Sequence, residues 1–249
     1  MNASTTTITL VTGANKGIGR EIAGQLAALG HTVVVAARSA ERGEQAAREL
    51  REAGGDATSV VLDVTDAASV AAAADTVEKR YGRLDVLVNN AGISRPNGGG
   101  LVDQQPGTVD VDTIRTIFET NVFGVIAVTE AMLPLLRRSD APRVVNVSSS
   151  AGSLAGMADM DAGSERPIAV GYAPSKTTET AVTLQYARAL KPENILVNAV
   201  CPGFVATDLN NFAGHRTPAQ GAVAAVRMAT VGPDGPTGTF TDEDGPAPW

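Results

Sequence analysis

Tyr172-Ala173-Pro174-Ser175-Lys176 sets a phenol and an ammonium four residues apart, a spacing that puts both on one face of a helix. A free phenol titrates at about pH 10 and is a poor proton donor or acceptor at neutral pH. An ammonium beside it favours the phenolate and brings it toward acid–base work. Taken alone, the pair reads equally well as two surface residues. Its neighbours in the chain add to it. Ser148-Ser149-Ser150 follows the apolar run Arg143–Val147, where a hydroxyl can donate to a substrate oxygen or can simply make a polar turn. Asn89-Asn90-Ala91-Gly92 ends another apolar run in the same way. Asn121 stands inside a long helical pattern, where asparagine has no propensity reason to be. It either bonds a local backbone carbonyl or has a task in the chemistry.

A second constellation is glycine-rich. Thr12-Gly13-Ala14-Asn15-Lys16-Gly17-Ile18-Gly19 lies between an apolar run and a helical pattern. Glycines admit positive φ and close backbone approach, and a helix N-terminus offers unpaired N–H groups to a phosphate. The spacing G-x-x-x-G-x-G differs from the usual dinucleotide fingerprint, and a turn that only closes helix onto strand is the plain alternative. About 20 residues further on, an acid would grip the ribose 2′-hydroxyl of NAD. The second apolar run instead ends Ala36-Ala37-Arg38-Ser39, and the first carboxylate, Glu41, falls inside the next helix. Arg38 and Lys16 each read as solvated charges in isolation. Together, with no acid beside them, they suit a 2′-phosphate and point to NADP(H).

These residues need a scaffold, and the patterning supplies one. Apolar runs at Ile8–Val11, Thr32–Ala36, Ala57–Leu62, Leu84–Val88, Arg143–Val147 and Ile195–Val200 alternate with helical patterns at Gly17–Leu29, Ala40–Ala53, Asp66–Tyr81, Asp112–Leu136 and Gly171–Leu190. Several strands are apolar throughout, as in a parallel sheet covered on both faces. The repeated strand–helix unit predicts right-handed crossovers and a doubly wound α/β sheet of Rossmann type, with ligands outside the carboxyl ends of the strands. A further Ala-rich helix and a short strand near Thr239-Phe240 follow the sixth strand. Loops near 95–111, 153–170 and 203–218 interrupt the alternation. No repeat or second core divides the chain, so residues 1–249 read as a single domain that binds a dinucleotide and carries out the catalysis.

Composition narrows the partners. Twenty Lys and Arg against 27 Asp and Glu leave a net charge of −7, which disfavours nucleic acid and anionic membranes. The single cysteine, Cys201, allows no internal disulfide and fits a reducing compartment. His31 and His215 are far apart and make no metal-ligand spacing. The start, Met1–Thr7, has neither a basic nor an apolar signal-peptide region, and the run Val122–Leu136 carries Glu130 and Pro134, which predicts a buried helix. The expectation is a soluble, cytoplasmic protein without a metal.

In order along the chain, Thr12-Gly13-x3-Gly17-x-Gly19, Asp63-Val64, Asn89-Asn90-Ala91-Gly92, Asn121, Ser149, Tyr172-x3-Lys176 and Pro202-Gly203-x3-Thr207 resemble the ordered motifs of the short-chain dehydrogenase/reductase superfamily, over about residues 5–230. The wording of the glycine loop, with Ala37-Arg38, is similar to its NADPH-dependent carbonyl reductase branch. The resemblance implies hydride transfer between NADP(H) and a small carbonyl or alcohol. Tyr172 would be the general acid, Lys176 would lower the pKa of that phenol and bind the nicotinamide ribose, and Ser149 would polarise the carbonyl. Asn121 would hold a water in a proton relay to Lys176. The cofactor would lie on Gly13, Asn15, Lys16, Gly17, Ile18, Gly19 and Arg38. Asp63 and Val64 would meet its adenine, Asn90, Ala91 and Gly92 would line it, and Pro202, Gly203, Val205 and Thr207 would hold the carboxamide and pyrophosphate region.

The 23 residues from Ser149 to Tyr172 exceed the family's usual separation. The extra length resembles a shortened form of the insertion that covers the oligomer face in the carbonyl reductase branch. The tail Gly238–Trp249 also lacks the ending of the tetrameric members, so a monomer or homodimer is expected. Two alternatives stand beside this reading. A reductase of carrier-bound 3-oxoacyl thioesters would want a basic patch, for which Arg137, Arg138 and Arg216 are the candidates, although the net charge argues against it. A non-catalytic NADPH-binding regulator typically loses the Tyr or the Lys, and both are present.

Overall fold

Seven parallel strands run in the order β3-β2-β1-β4-β5-β6-β7 in the computed structural model, which describes residues 6–96, 102–159 and 168–249. The strands are β1 (Ile8–Thr12), β2 (Thr32–Ala37), β3 (Asp56–Val61), β4 (Val86–Asn89), β5 (Arg143–Val147), β6 (Leu196–Val200) and β7 (Phe240–Thr241). The helices are α1 (Gly17–Ala28), α2 (Ala40–Glu52), α3 (Ala67–Tyr81), α4 (Val111–Phe118), α5 (Gly124–Leu136), α6 (Leu154–Ala158), α7 (Tyr172–Leu190) and α8 (Pro218–Ala229). Strand order reverses between β1 and β4, and it is there that a doubly wound sheet opens a crevice for a ligand.

The apolar strands divide residue by residue between two cores, as a two-residue period requires. Val11, Val33, Val35, Val86, Val88 and Val145 face α1, α2 and α8. Leu10, Val34, Ala36, Leu87, Val144 and Val197 face α3, α5 and α7. Local signals set the element ends. The Ser39 side chain caps α2 by accepting from Arg42 N–H, and Gly82, at φ +73°, stops α3.

Two elements depart from the patterning. The helix expected over Asp112–Leu136 is α4 and α5 joined by a π-helical turn, Glu119–Phe123. The turn contains Asn121, whose side chain bonds outside its own helix, and such insertions are a recognised cause of local rewinding. The stretch Val111–Leu136 is long and apolar enough to cross a membrane, but half of its most apolar window is buried in the fold. The loop expected over 153–170 holds the short helix α6 at its start. The rest of that expectation, residues 160–167, lies outside the described residues, as do 97–101 of the other loop and the first five residues.

Candidate active site

The carboxyl ends of β1, β4, β5 and β6 converge, and each delivers part of the predicted site. Beyond β1, Gly13 and Gly17 have φ of +64° and +57°, which an L side chain rarely adopts. A Cβ on Gly19 would lie 2.6 Å from the Gly13 carbonyl oxygen and 2.4 Å from Asn90 Nδ2. The loop is therefore folded against the end of β4. Asn90 secures it: its amide Nδ2 donates to Thr12 O at 2.9 Å, while the Asn90 and Ala91 N–H groups both donate to Thr12 Oγ1 at 2.9 Å. At the start of α1, the N-cap Lys16 makes no side-chain cap and the first turn holds no acid. Those free amides at the positive end of the helix fit a phosphate, so the residues present suit the dinucleotide that the motif implies.

The other predicted cofactor residues take varied places. Arg38 is exposed at the end of β2. Lys16 forms an ion pair with Asp208, tying the glycine loop to the segment after β6, where a Cβ on Gly17 would lie 3.5 Å from Thr207 Cγ2. Asp63 turns its carboxylate onto Thr65, accepting from its N–H at 3.0 Å and its hydroxyl at 2.8 Å. Val64 packs against Gly124 of α5, which has no room for a side chain. Gly203 has φ +78° and lies under Arg216, and Val205 is buried. Asn15 and Ile18 are half-buried in the glycine loop, and Pro202 is half-buried after β6.

The predicted reactive residues are brought together. The Ser149 hydroxyl lies beside the Tyr172 phenol and favours its ionised form, while accepting from Ala151 N–H at 3.1 Å; Ser148 is turned inward and donates to the Lys176 carbonyl at 3.2 Å. Lys176 Nζ donates to Val147 O at 2.9 Å and to Glu179 Oε2 at 2.7 Å. The expected lowering of the phenol's pKa is present but does not prevail. Burial pushes the Tyr172 phenol up, the Lys176 ammonium pulls it down, and the Glu179 carboxylate opposes Lys176. Glu179 has no place in the motifs and is missed by sequence reasoning. Its position three residues after Lys176 is the signal that could have found it.

Asn121 is fully buried, and its side-chain atoms are engaged. Oδ1 accepts from Ile93 N–H at 2.8 Å, and Nδ2 donates to Ile93 O at 2.8 Å and to Ser175 Oγ at 3.0 Å. The side chain is not a cap of a local carbonyl, and Oδ1 accepts one hydrogen bond of the two that an amide oxygen can take. It fixes the backbone just past β4 against α7. Gln104, also missed, completes that brace. It is fully buried, Nε2 donates to Ser94 O at 2.7 Å, and Oε1 accepts from Tyr172 N–H at 2.9 Å. No pattern in the sequence marks it, because its partners lie 10 and 68 residues away.

A family profile described as short chain dehydrogenase matches residues 7–217. The chain belongs to the short-chain dehydrogenase family. It is 34% identical over 284 residues to short-chain dehydrogenase/reductase 1 of Saponaria officinalis, covering 93% of this chain and 92% of that one. Among solved structures it is similar to salutaridine reductase from Papaver somniferum, with a TM-score of 0.81, 31% identity, and coverage of 95% of this chain and 99% of that one. A gluconate 5-dehydrogenase from Burkholderia cenocepacia, solved in complex with NADP and tartrate, superposes with a TM-score of 0.80 at 27% identity, over 94% of this chain and 92% of that one. The family is one of oxidoreductases that use nicotinamide cofactors, and the doubly wound single sheet expected from the strand pattern is the fold observed.

Proposed function

We propose that the chain is an NADP(H)-dependent carbonyl reductase, interconverting a small carbonyl compound and its alcohol. The observation that carries this reading is the Ser149–Tyr172–Lys176 cluster at the carboxyl ends of the sheet. A bound nicotinamide dinucleotide supplies hydride in reduction and accepts it in oxidation. The Ser149 hydroxyl holds the carbonyl oxygen, and the Tyr172 phenol delivers its proton there as the alcohol forms. Lys176, charged and buried, stabilises the phenolate left behind. The fold contributes proximity: it presents the glycine loop and the phenol to one crevice. The exposed Arg38, standing after β2 where an acid would select NAD, supports NADP(H) over NAD(H), as does the NADP complex of a structural relative.

Apolar side chains exposed on the segments after β5 and β6, among them Leu154, Met157, Ile168, Phe204 and Phe212, support a substrate with apolar surface, as does the likeness to salutaridine reductase. The carrier-bound thioester alternative draws support from a relative, the monensin polyketide synthase putative ketoacyl reductase of Streptomyces virginiae, 38% identical over 213 residues, but each arginine of the basic patch it would want is paired with a carboxylate. Arg137 pairs with Glu193, Arg138 with Glu78 and Arg216 with Glu243. The test is a panel of aldehydes, ketones and alcohols followed by NADPH absorbance, with Tyr172→Phe beside the wild type. The variant is expected to lose about 10²–10⁴ in turnover and to keep its affinity for NADPH. Turnover close to wild type in Tyr172→Phe removes the phenol from the mechanism.

A further inference from the structure

Glu179 has no part in the chemistry above, yet it sits at its centre. The carboxylate follows Lys176 by three residues and Tyr172 by seven on α7, so the three share one helix face. The Lys176 and Glu179 side chains are 5% and 1% exposed, with Nζ and Oε2 2.7 Å apart. The Ser148 hydroxyl lies beside the same carboxylate and favours its ionised form. A Cβ on Gly92 would lie 3.5 Å from Lys176 Nζ, so the ammonium looks toward the segment after β4, where the cofactor is expected. Burying an ion pair this deeply gives little net stability, and apolar residues of similar volume often serve as well or better. The pair therefore calls for an explanation in terms of the charges it sets.

We propose that Glu179 is a positioning residue of the reaction centre: its carboxylate holds the Lys176 ammonium in place and offsets the charge that the ammonium presents to the Tyr172 phenol. The inference rests on the reading of Tyr172 as the acid–base residue. Among the described residues, the titratable groups facing the phenol are Lys176 and Glu179 on its own helix and the Cys201 thiol just past β6. The uncharged groups nearby are the Ser149 hydroxyl beside the phenol, the Val147 carbonyl and Ser148 hydroxyl against Lys176, and Asn121 of the π-helical turn, bonded to Ser175 of α7. Burial and Glu179 both favour the protonated phenol, and Lys176 opposes them. Glu179 in turn keeps Lys176 charged against its own burial, while burial pushes the Glu179 carboxyl up and Lys176 pulls it back down. The balance retains the proton on Tyr172, the form that donates to a carbonyl oxygen.

Tyrosinate absorbance of the protein without cofactor reads this balance directly. Tyr172→Phe serves as the reference that separates Tyr172 from Tyr81 and Tyr186. In Glu179→Gln the Tyr172 transition is expected to fall by on the order of one pH unit, the effect of removing one nearby charge in a protein interior. Glu179→Asp, which keeps the charge, is expected to stay near wild type. The alkaline limb of kcat/KM for carbonyl reduction should move with the transition. Coincident transitions in wild type and Glu179→Gln overturn the proposal, and so does a Tyr172 proton kept by both up to alkaline unfolding. If Glu179→Gln does not fold, the uncharged pair Lys176→Met/Glu179→Gln decides. A Tyr172 transition within about half a unit of wild type supports the offset, and a rise of about one unit or more refutes it. A wild type with no nicotinamide-dependent turnover overturns the functional reading, whereas an active wild type with an unmoved Glu179→Gln transition overturns this inference alone.

Discussion

Gln104→Met tests whether the reactive helix is held from a distance. The replacement keeps the length and approximate volume of the side chain and removes both of its polar ends. Tyr172 N–H then loses its acceptor at 2.9 Å and Ser94 O its donor at 2.7 Å. The first loss falls on the start of α7, whose own N-cap, Gly171, makes no side-chain cap. An unmet buried donor or acceptor costs about 1–3 kcal/mol, and losing a helix cap costs about 0.5–2 kcal/mol. The two losses together come to about 1.5–5 kcal/mol. For a domain of this size that corresponds to a fall in Tm of roughly 3–20 °C. Because the freed N–H belongs to Tyr172 itself, kcat should fall more than cofactor affinity, which depends on the glycine loop across the sheet. Calorimetry gives the first quantity, and steady-state kinetics with cofactor titration give the second. A Tm within about 2 °C of wild type, with unchanged kcat, would show that the brace through Gln104 does nothing for the site.

Three further outcomes follow from particular residues. Wild type should prefer NADPH over NADH by about tenfold or more in kcat/KM, and Arg38→Asp, which replaces an attractive charge with a repulsive one, should abolish or reverse that preference; equal use of both cofactors by wild type refutes the reading of Arg38. Burial lowers the pKa of His31 from its ordinary 6.5, the Arg143 charge adds to this and Asp85 opposes it, so the unfolded chain takes up a proton that the native imidazole resists. That stabilisation is complete above about pH 6.5 and is lost as pH falls below it, so Tm should drop on acidification through this window, and less steeply in His31→Asn. The long separation of Ser149 and Tyr172 predicts a monomer or homodimer, and a tetramer by light scattering contradicts it.

The parallel sheet and the two-faced core were legible because their causes are local and periodic. Runs such as Val33-Val34-Val35 can only be buried on both sides, and Ser39 and Gly82 punctuate helices through chemistry within a turn of themselves. The motif residues were legible for a related reason: a glycine loop after a first strand and a Tyr-x3-Lys pair carry their geometry in their spacing. What decides the state of the site lies elsewhere. The π-helical turn at Asn121 exists through bonds to Ile93, 28 residues away, and the cap on Tyr172 comes from Gln104, 68 residues away. The sign of the phenol's pKa shift follows from burial and from Glu179 acting together against Lys176. Lys16 pairs with Asp208, 192 residues along the chain. A one-dimensional pattern records which groups can interact. Only the folded chain sets which of them meet and how little water is left between them, and on those two quantities the electrostatic balance of a buried site depends.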